Sequence, residues 1–163
     1  MRVLGIDPGL RLTGYAVLEG DPGSLDAPVV VEAGTLRLDP RRSVADRLVE
    51  LERDLRELIG RTAPDAAAVE AVFVHGVHPM TGVVMGHARG VVLLTLRRAG
   101  LEITELKPTE VKKCVCGNGH ARKAQVQASI AALLRLSEPP DPPDVADAMA
   151  VALCALGRAG NVE

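Results

Sequence analysis

The first apolar segment of the chain ends in a carboxylate and a turn. Residues 3–6 are typical of a buried strand, and Asp7-Pro8-Gly9 follows them directly. Asp is common in turns because its side chain can accept a hydrogen bond from the nearby backbone. A charge at the end of a buried strand is costly unless it is paired or binds a metal ion. This segment alone is compatible with a simple turn and with a functional acid, and the acids further along the chain distinguish the two.

Composition limits the fold to one domain. The chain has 163 residues, of which 47% are hydrophobic and 25% charged, and we expect a single domain over residues 1–163. Only two aromatic residues are present, Tyr15 and Phe73, so the core must be aliphatic. The sequence has no apolar run long enough to span a bilayer and no signal-peptide pattern, and three cysteines do not favour a disulfide framework. We therefore expect a cytoplasmic protein in a reducing compartment, with no membrane partner.

Hydrophobic periodicity predicts ten elements. Strands are predicted over 1–7, 13–19, 29–38, 66–70 and 101–106. Helices are predicted over 44–59, 83–96, 109–115, 122–136 and 144–156. Ser43 is a plausible N-cap of the first helix, Gly60 and Pro64 are expected to end it, and its polar face, which includes Arg47, is expected to be solvated. This order predicts an α/β fold with one mixed sheet and helices packed on its faces.

Two acids lie on one face of the last predicted helix. Asp144 and Asp147 are three residues apart and therefore project from the same side, which continues in apolar residues toward the protein interior. Asp is also favoured at helix N-caps and in first turns, and Asp144 follows two prolines. A capping role therefore remains open for Asp144.

Glu70 adds a further acid at a strand end. It closes the fourth predicted strand, which can lie beside the first, so that Glu70 and Asp7 would emerge together and the last helix could cover them. Two carboxylates ~5 Å apart repel by about 3 kcal/mol at an effective dielectric constant near 20. Divalent cations relieve such repulsion, and ligands that are all oxygen select hard ions such as Mg²⁺ or Mn²⁺. Paired ions of this kind support phosphodiester hydrolysis.

A local basic segment could contact phosphates. The net charge of −2 does not by itself favour nucleic-acid binding. Between residues 106 and 125, however, the only acid is Glu110, against these cations: Lys107, Lys112, Lys113, Arg122 and Lys123. Solvated lysines are an alternative, but the local excess of positive charge favours phosphate contact.

Two further patterns leave their role open. Gly82, Gly86 and Gly90 form a smooth stripe on the second predicted helix, which fits packing on the sheet or contact with a second copy of the chain. Cys114, Cys116 and His120 could form a zinc site, but their spacing is unusual and a fourth ligand is not evident. His75 and His78 have no assigned role.

Several segments together resemble the RuvC family of Holliday-junction resolvases. They are Leu4-Gly5-Ile6-Asp7-Pro8-Gly9, Thr13-Gly14-Tyr15, Val69-Glu70-Ala71-Val72-Phe73, Gly86-His87-Ala88-Arg89-Gly90, Val111-Lys112-Lys113, Lys123-Ala124-Gln125-Val126-Gln127 and Asp144-Val145-Ala146-Asp147-Ala148. Their order and spacing hold over nearly the whole chain. A lone Asp-x-Gly after a strand would be weak evidence, whereas the combined set is specific.

The resemblance implies an RNase H-like fold and a homodimer that makes symmetric nicks in four-way junction DNA. It implies 5′-phosphate and 3′-hydroxyl products, a role in recombination and repair, and cooperation with a branch-migration complex. The implied metal ligands, for a site of two Mg²⁺ or Mn²⁺ ions, are Asp7, Glu70, Asp144 and Asp147, which with Lys123 form the implied catalytic set. The DNA-binding candidates are Phe73, Lys112, Lys113, Arg122 and Lys123. Phe73 matches a family aromatic near the junction centre, where it would stack on an unpaired base, and the alternative for it is a core position.

Three other interpretations are considered. Actin-like and sugar-kinase-like ATPases begin with a similar strand, Asp-x-Gly and Thr-Gly hairpin, but they need two such domains. A junction-binding module without activity would not need all four carboxylates. An RNase H-like resolvase of another branch, acting on RNA or other branched DNA, fits the segment from Glu70 to Phe73 less well than RuvC does.

Overall fold

The computed structural model describes residues 1–26, 28–71 and 79–159, with only the backbone described for 79–81. Its strands are β1 (Arg2–Asp7), β2 (Leu12–Glu19), β3 (Val29–Arg37), β4 (Ala66–Glu70) and β5 (Glu102–Leu106). Its helices are α1 (Val44–Thr62), α2 (Pro79–Arg98), α3 (Pro108–Cys116), α4 (Lys123–Leu133) and α5 (Pro143–Arg158). All ten predicted elements are therefore present, and the predicted α/β class is confirmed.

The strands form one mixed sheet in the order β3-β2-β1-β4-β5. The first three strands are antiparallel neighbours, whereas β1 and β4, and then β4 and β5, run parallel. The crossovers to β4 and β5 contain helices, as parallel pairing requires. The prediction that the first and fourth strands are neighbours is thereby confirmed.

Helices cover both faces of the sheet. One core cluster joins the sheet to α3, α4 and α5, and the other joins it to α1 and α2. The central strand β1 divides its side chains between them: Val3 faces the first cluster, and Leu4 and Ile6 face the second. Both faces are aliphatic, with Tyr15 the one described aromatic side chain in the core.

Several helix ends differ from their predicted positions, for example those of α2, and for two of them the backbone gives the reason. Gly60 stays within α1, which ends at Thr62 because Ala63 takes a left-handed conformation (φ 44°) and donates its N–H to the Ile59 carbonyl. Helix α4 ends at Leu133, and not at residue 136, because Arg135 also takes a positive φ of 53°. At both helix ends, backbone hydrogen bonds satisfy the terminal carbonyl groups. The side-chain pattern of the sequence does not predict where these bonds form.

No helix in the described part of the chain is long and apolar enough to cross a membrane.

Candidate active site

Two carboxylates lie side by side because of the register between β1 and β4. The last aligned pair of these parallel strands is Ile6 with Val69, so Asp7 and Glu70 are the next residues at the same sheet edge. Both strands are buried up to that point. The edge is therefore the place where two acids leave an apolar sheet together.

Helix α5 brings two more acids to the same edge. It lies so close to the sheet that a Cβ at Gly5 would clash with the backbone of Ala148 and Ala152, and one at Gly14 would clash with Asp144. The backbone approach depends on these glycines and on the small residues of α5. Pro142 occupies the N-cap position, so the N-cap interpretation of Asp144 is wrong, whereas its predicted alternative placement in the first turn, where the helix dipole favours an acid, is confirmed.

All four carboxylates line one open cleft of about 800 Å³. Its acidic floor is formed by Asp7, Glu70, Asp144 and Asp147. The walls come from the β1–β2 turn, α1, α2 and the basic segment, and their polar and charged members are Arg11, Arg47, Lys112 and Lys123. The predicted convergence of acids from three distant parts of the chain is therefore present.

The acids repel one another in a partly dry site. The pKa of Asp7 is raised to about 8, first by burial and then by the negative charges of Glu70, Asp147 and Asp144, while Lys123 opposes the rise. Burial also raises the pKa of Glu70, with a contribution from Asp147, although a hydrogen bond with Asp7 counteracts it. For Asp147, burial raises the pKa against the opposing charge of Lys123. The site is therefore short of positive charge.

Lys123 is the nearest cation to these acids. Its Nζ lies 3.7 Å from Asp147 Oδ2, and its side chain is 70% exposed against 22% for that of Asp147. Such an exposed ammonium is free to exchange this partner for another anion. Lys112 also lines the cleft, and its charge lowers the pKa of Glu70, where it acts more strongly than Lys123, and the pKa of Asp147.

The donor set fits divalent cations. It consists of oxygen ligands only, which is the chemistry of Mg²⁺ and Mn²⁺ sites. Within residues 1–26, 28–71 and 79–159, no three His, Cys, Asp or Glu side chains already close on one point as a group able to hold a metal ion. The carboxylates share a cleft and repel one another, so bound cations would have to draw them together. Cys114, Cys116 and His120 likewise form no such group in the described part of the chain, so the structure does not support a zinc site there.

Comparison with known proteins identifies the family. Residues 3–155 match the family described as crossover junction endodeoxyribonuclease RuvC. The chain belongs to the RuvC family. Its relatives include the crossover junction endodeoxyribonuclease RuvC of Salinispora arenicola, which is 45% identical over 162 residues, or 99% of this chain and 90% of that one.

Solved RuvC structures share the fold. Thermus thermophilus RuvC superposes with a TM-score of 0.88 at 29% identity, covering 98% of this chain and 96% of that chain. T. thermophilus RuvC in complex with Holliday junction substrate gives a TM-score of 0.86 at 31% identity, covering 94% and 92% of the two chains. The RNase H-like fold predicted from the RuvC resemblance is confirmed. Nucleases of the RuvC family use divalent metal ions.

Of the four basic DNA-binding candidates in this RuvC-family chain, two line the described cleft and two do not. Lys112 and Lys123 line the cleft, whereas Lys113 and Arg122 are not among its described lining residues. Lys113 is an exposed residue of α3. Arg122 occupies the N-cap position of α4, where its N–H donates to Gln125 Oε1 at 2.8 Å. Phe73, His75 and His78 lie outside the described residues, so their predicted roles stay predictions.

The sequence analysis missed two arginines of the cleft. Arg47 was expected on a solvated face, but it is only partly exposed and its guanidinium donates to the Leu10 carbonyl at 3.3 Å. Its Nε is buried without a hydrogen-bond partner among the described residues. Arg47 therefore supports the turn that follows Asp7, and Arg11 in that turn also lines the cleft. The helical period of α1 correctly places Arg47 on a polar face. It does not predict that the β1–β2 turn lies against that face.

Proposed function

We propose that this chain is a structure-selective endonuclease that resolves four-way DNA junctions in recombination and repair. It would cut two like strands symmetrically by phosphodiester hydrolysis and leave 5′-phosphate ends. The observation that carries the proposal is the cleft in which Asp7, Glu70, Asp144 and Asp147 lie between basic walls. The relative solved with Holliday junction substrate, at 31% identity, supports this choice of substrate.

The four carboxylates are the proposed metal ligands, and Mg²⁺ or Mn²⁺ the proposed ions. A pair of such ions supplies a nucleophile at neutral pH and charge stabilisation in phosphodiester hydrolysis. The raised pKa values of Asp7, Glu70 and Asp147 support the assignment because they show acids whose charge the protein leaves uncompensated.

The chain's own cations would place the DNA strand. Lys123 is exposed beside Asp147, so its ammonium can contact a phosphate oxygen next to the acids. Lys112 and Arg47 on the opposing walls would hold neighbouring phosphates, and Lys113 and Arg122 would contact the strand beyond the cleft. Phe73 is proposed to stack on an unpaired base near the junction centre. In this arrangement Lys123 acts with the four carboxylates as part of the catalytic set.

Symmetric cutting requires two copies of the site, which we propose to come from a homodimer through α2. That helix packs on α1 and the sheet, but Val83 and Leu94 on it are 51% and 49% exposed. At Gly86 and Gly90, apart from the neighbouring turns of α2 itself, no atom of the described residues lies within 4 Å of where a Cβ would be. An apolar helix with an open, smooth side fits a second copy.

The remaining assignments follow from the same function. We infer that residues 1–163 form a single nuclease domain, which the family match over residues 3–155 supports. A cytoplasmic location and a branch-migration complex as partner are proposed on the family resemblance. An ATPase of the actin-like or sugar-kinase-like class is disfavoured because its nucleotide lies between two such domains.

A synthetic immobile four-way junction tests the proposal. The full chain is incubated with the junction or with a matched linear duplex, in EDTA, Mg²⁺ or Mn²⁺. We expect paired nicks at symmetric positions in the junction only, only with metal, and products that DNA ligase can seal. Incision of duplex at the same rate, or an intact junction under every metal condition, would contradict the proposal.

A further inference from the structure

Helices α3 and α5 pack in an antiparallel sense, and one ion pair shows their alignment. Arg158 in the last turn of α5 lies 3.6 Å from Glu110 in the first turn of α3. Residues four apart share a helix face. Cys114 follows Glu110 by four residues, and Cys154 precedes Arg158 by four. The contact that pairs Glu110 with Arg158 therefore places Cys114 opposite Cys154.

The two thiols differ in access. Cys154 is fully buried in the core cluster on this face of the sheet, and the half-buried Cys114 packs against that cluster. The two thiols are close enough for Cys154 to act on the pKa of Cys114 through hydrogen bonding. Cys116 is also half-buried against this cluster, but it follows Cys114 by two residues and therefore lies about 200° around α3 from it. The contact between α3 and α5 thus brings together one half-buried thiol, Cys114, and one enclosed thiol, Cys154.

The surroundings make the two thiols chemically unequal. The hydrogen bond from Cys154 lowers the pKa of Cys114 to about 7, with help from the Arg158 charge and against the effect of burial. The same hydrogen bond, followed by burial, raises the pKa of Cys154. The accessible sulfur is therefore the one with thiolate character, which is the property that hydroperoxides select.

We propose that Cys114 and Cys154 form a redox-reactive dithiol that a hydroperoxide converts into an intramolecular disulfide. Cys114 is the attacking thiol and Cys154 the resolving thiol. Neither residue has a role in the proposed nuclease chemistry, so this modification site is independent of it. The disulfide would join the helix that carries Lys112 to the helix that carries Asp144 and Asp147.

The reaction balances in two steps. The Cys114 thiolate attacks one peroxide oxygen, so that an S–O bond forms and the O–O bond breaks. The leaving group takes up a proton: hydroxide from hydrogen peroxide becomes water, and alkoxide from an organic hydroperoxide becomes an alcohol. The Cys114 sulfur is thereby oxidised to a sulfenic acid. The Cys154 sulfur then attacks it, the S–S bond forms, the S–O bond breaks, and hydroxide leaves with the Cys154 proton as a second water. The peroxide is reduced by two electrons.

Hydrogen peroxide and peptide mapping test the proposal on the full chain. The protein is reduced, freed of reductant and treated with a small molar excess of hydrogen peroxide. We expect the free thiols to fall from three to one, with a non-reducing digest showing residues 114 and 154 in one linked peptide. Dithiothreitol should restore all three.

Three variants separate the roles. Cys116→Ser is the matched control on the same helix and should form the same disulfide as the wild type. Cys154→Ala should accumulate a sulfenic acid at Cys114 that dimedone traps. Cys114→Ser should keep the thiols of Cys116 and Cys154 unreacted. Because Cys114 is only half-buried, this variant tests the proposal even if Cys154→Ala impairs folding of the core.

Four outcomes would overturn the proposal. They are three unreacted thiols in the wild type, a bond from Cys114 to Cys116, a bond between two molecules, and thiol loss in Cys114→Ser at the wild-type rate.

Discussion

Two partly buried acids of this sheet, Glu32 and Asp7, have opposite surroundings. Glu32 on β3 pairs with Arg61 at 2.7 Å and accepts a hydrogen bond from the Tyr15 hydroxyl at 2.9 Å. These partners, Arg61 first, lower its pKa. Asp7 on β1 faces Glu70 and the α5 acids, and its pKa rises to about 8.

The difference separates an acid that serves the fold from acids that we propose bind metal ions. Glu32 is satisfied by its own chain, so its charge ties β2, β3 and α1 together. Asp7 is surrounded by like charges, and among the described residues Lys123 is the cation that forms an ion pair with the cluster, at 3.7 Å from Asp147. A protein that buries repelling carboxylates at one edge loses stability there, and bound cations would restore it.

Removing the Asp7 charge should give the largest effect. Asp7→Asn keeps the shape of the side chain but removes a proposed metal ligand, so junction cleavage should fall about a thousandfold or more. Single-turnover cleavage of a four-way junction in Mg²⁺ measures this. Junction binding in a gel-shift assay without metal at neutral pH should be unchanged, because metal-free Asp7 keeps its proton until about pH 8 and the substitution therefore removes little charge.

Glu32→Gln is the matched control for Asp7→Asn because it neutralises an acid of the same sheet outside the cleft. Its cleavage rate should stay within about threefold of the wild type, which leaves the free energy of activation nearly unchanged. Equal losses in the two variants would remove the distinction between the two acids.

The stability of the metal-free protein should fall as the pH rises. Unfolded Asp7 loses its proton near its ordinary pKa of 3.8, whereas folded Asp7 keeps it until about pH 8. Between these values the folded state binds more protons, so rising pH favours unfolding, by at most about 1.4 kcal/mol per pH unit for one proton. Urea unfolding in EDTA at pH 5 and pH 7.5 measures the slope.

Asp7→Asn should flatten that slope, since the titrating group is gone. Mg²⁺ should raise the stability of the wild type at pH 7.5 more than that of Asp7→Asn. A wild-type slope of the same size as that of the variant would contradict the account of Asp7.

Lys123→Ala should have a smaller effect on cleavage. Removal of an exposed ammonium beside the acids should slow single-turnover cleavage by about ten- to a hundredfold, by loss of one charged contact to phosphate. Lys113→Ala removes the same charge from the neighbouring helix but outside the described cleft lining, and should slow cleavage less than about threefold. A larger loss in Lys113→Ala than in Lys123→Ala would show that the structure places the wrong lysine in the cleft.

The smallest effect concerns stability alone. Glu32→Gln should lower the free energy of unfolding by about 1 kcal/mol, because the Arg61 pair is lost while a weaker hydrogen bond with Tyr15 can persist. Urea unfolding at pH 7.5 measures it, with Glu102→Gln as a control whose pair with Arg97 joins two well-exposed side chains. Glu102→Gln should change stability by less than about 0.5 kcal/mol.

Much of the site follows from local patterns. The buried run before Asp7 and the one before Glu70 predict two strand ends, and parallel pairing of those strands places both acids at one edge. The three-residue spacing of Asp144 and Asp147 predicts their common face. These inferences succeed because period and strand direction are properties of short segments.

Other features depend on contacts between distant segments. Arg47 lies on a polar helix face that only the β1–β2 turn reveals as part of the cleft. Lys112 and Lys113 are sequence neighbours, yet only Lys112 lines the described cleft, because adjacent helix positions point about 100° apart. The ends of α1 and α4 depend on positive φ angles at Ala63 and Arg135, which their side chains do not favour.

The amino-acid sequence by itself determined the α/β class, the ten elements, the four acids and the family. Each of these is encoded by residue type and spacing within short segments. The tertiary structure decided how near the acids come, which cations share their cleft, and which thiols meet between α3 and α5. Those facts depend on how closely helices approach the sheet, and that distance is set by packing at residues such as Gly5 and Gly14 together with their partners on α5.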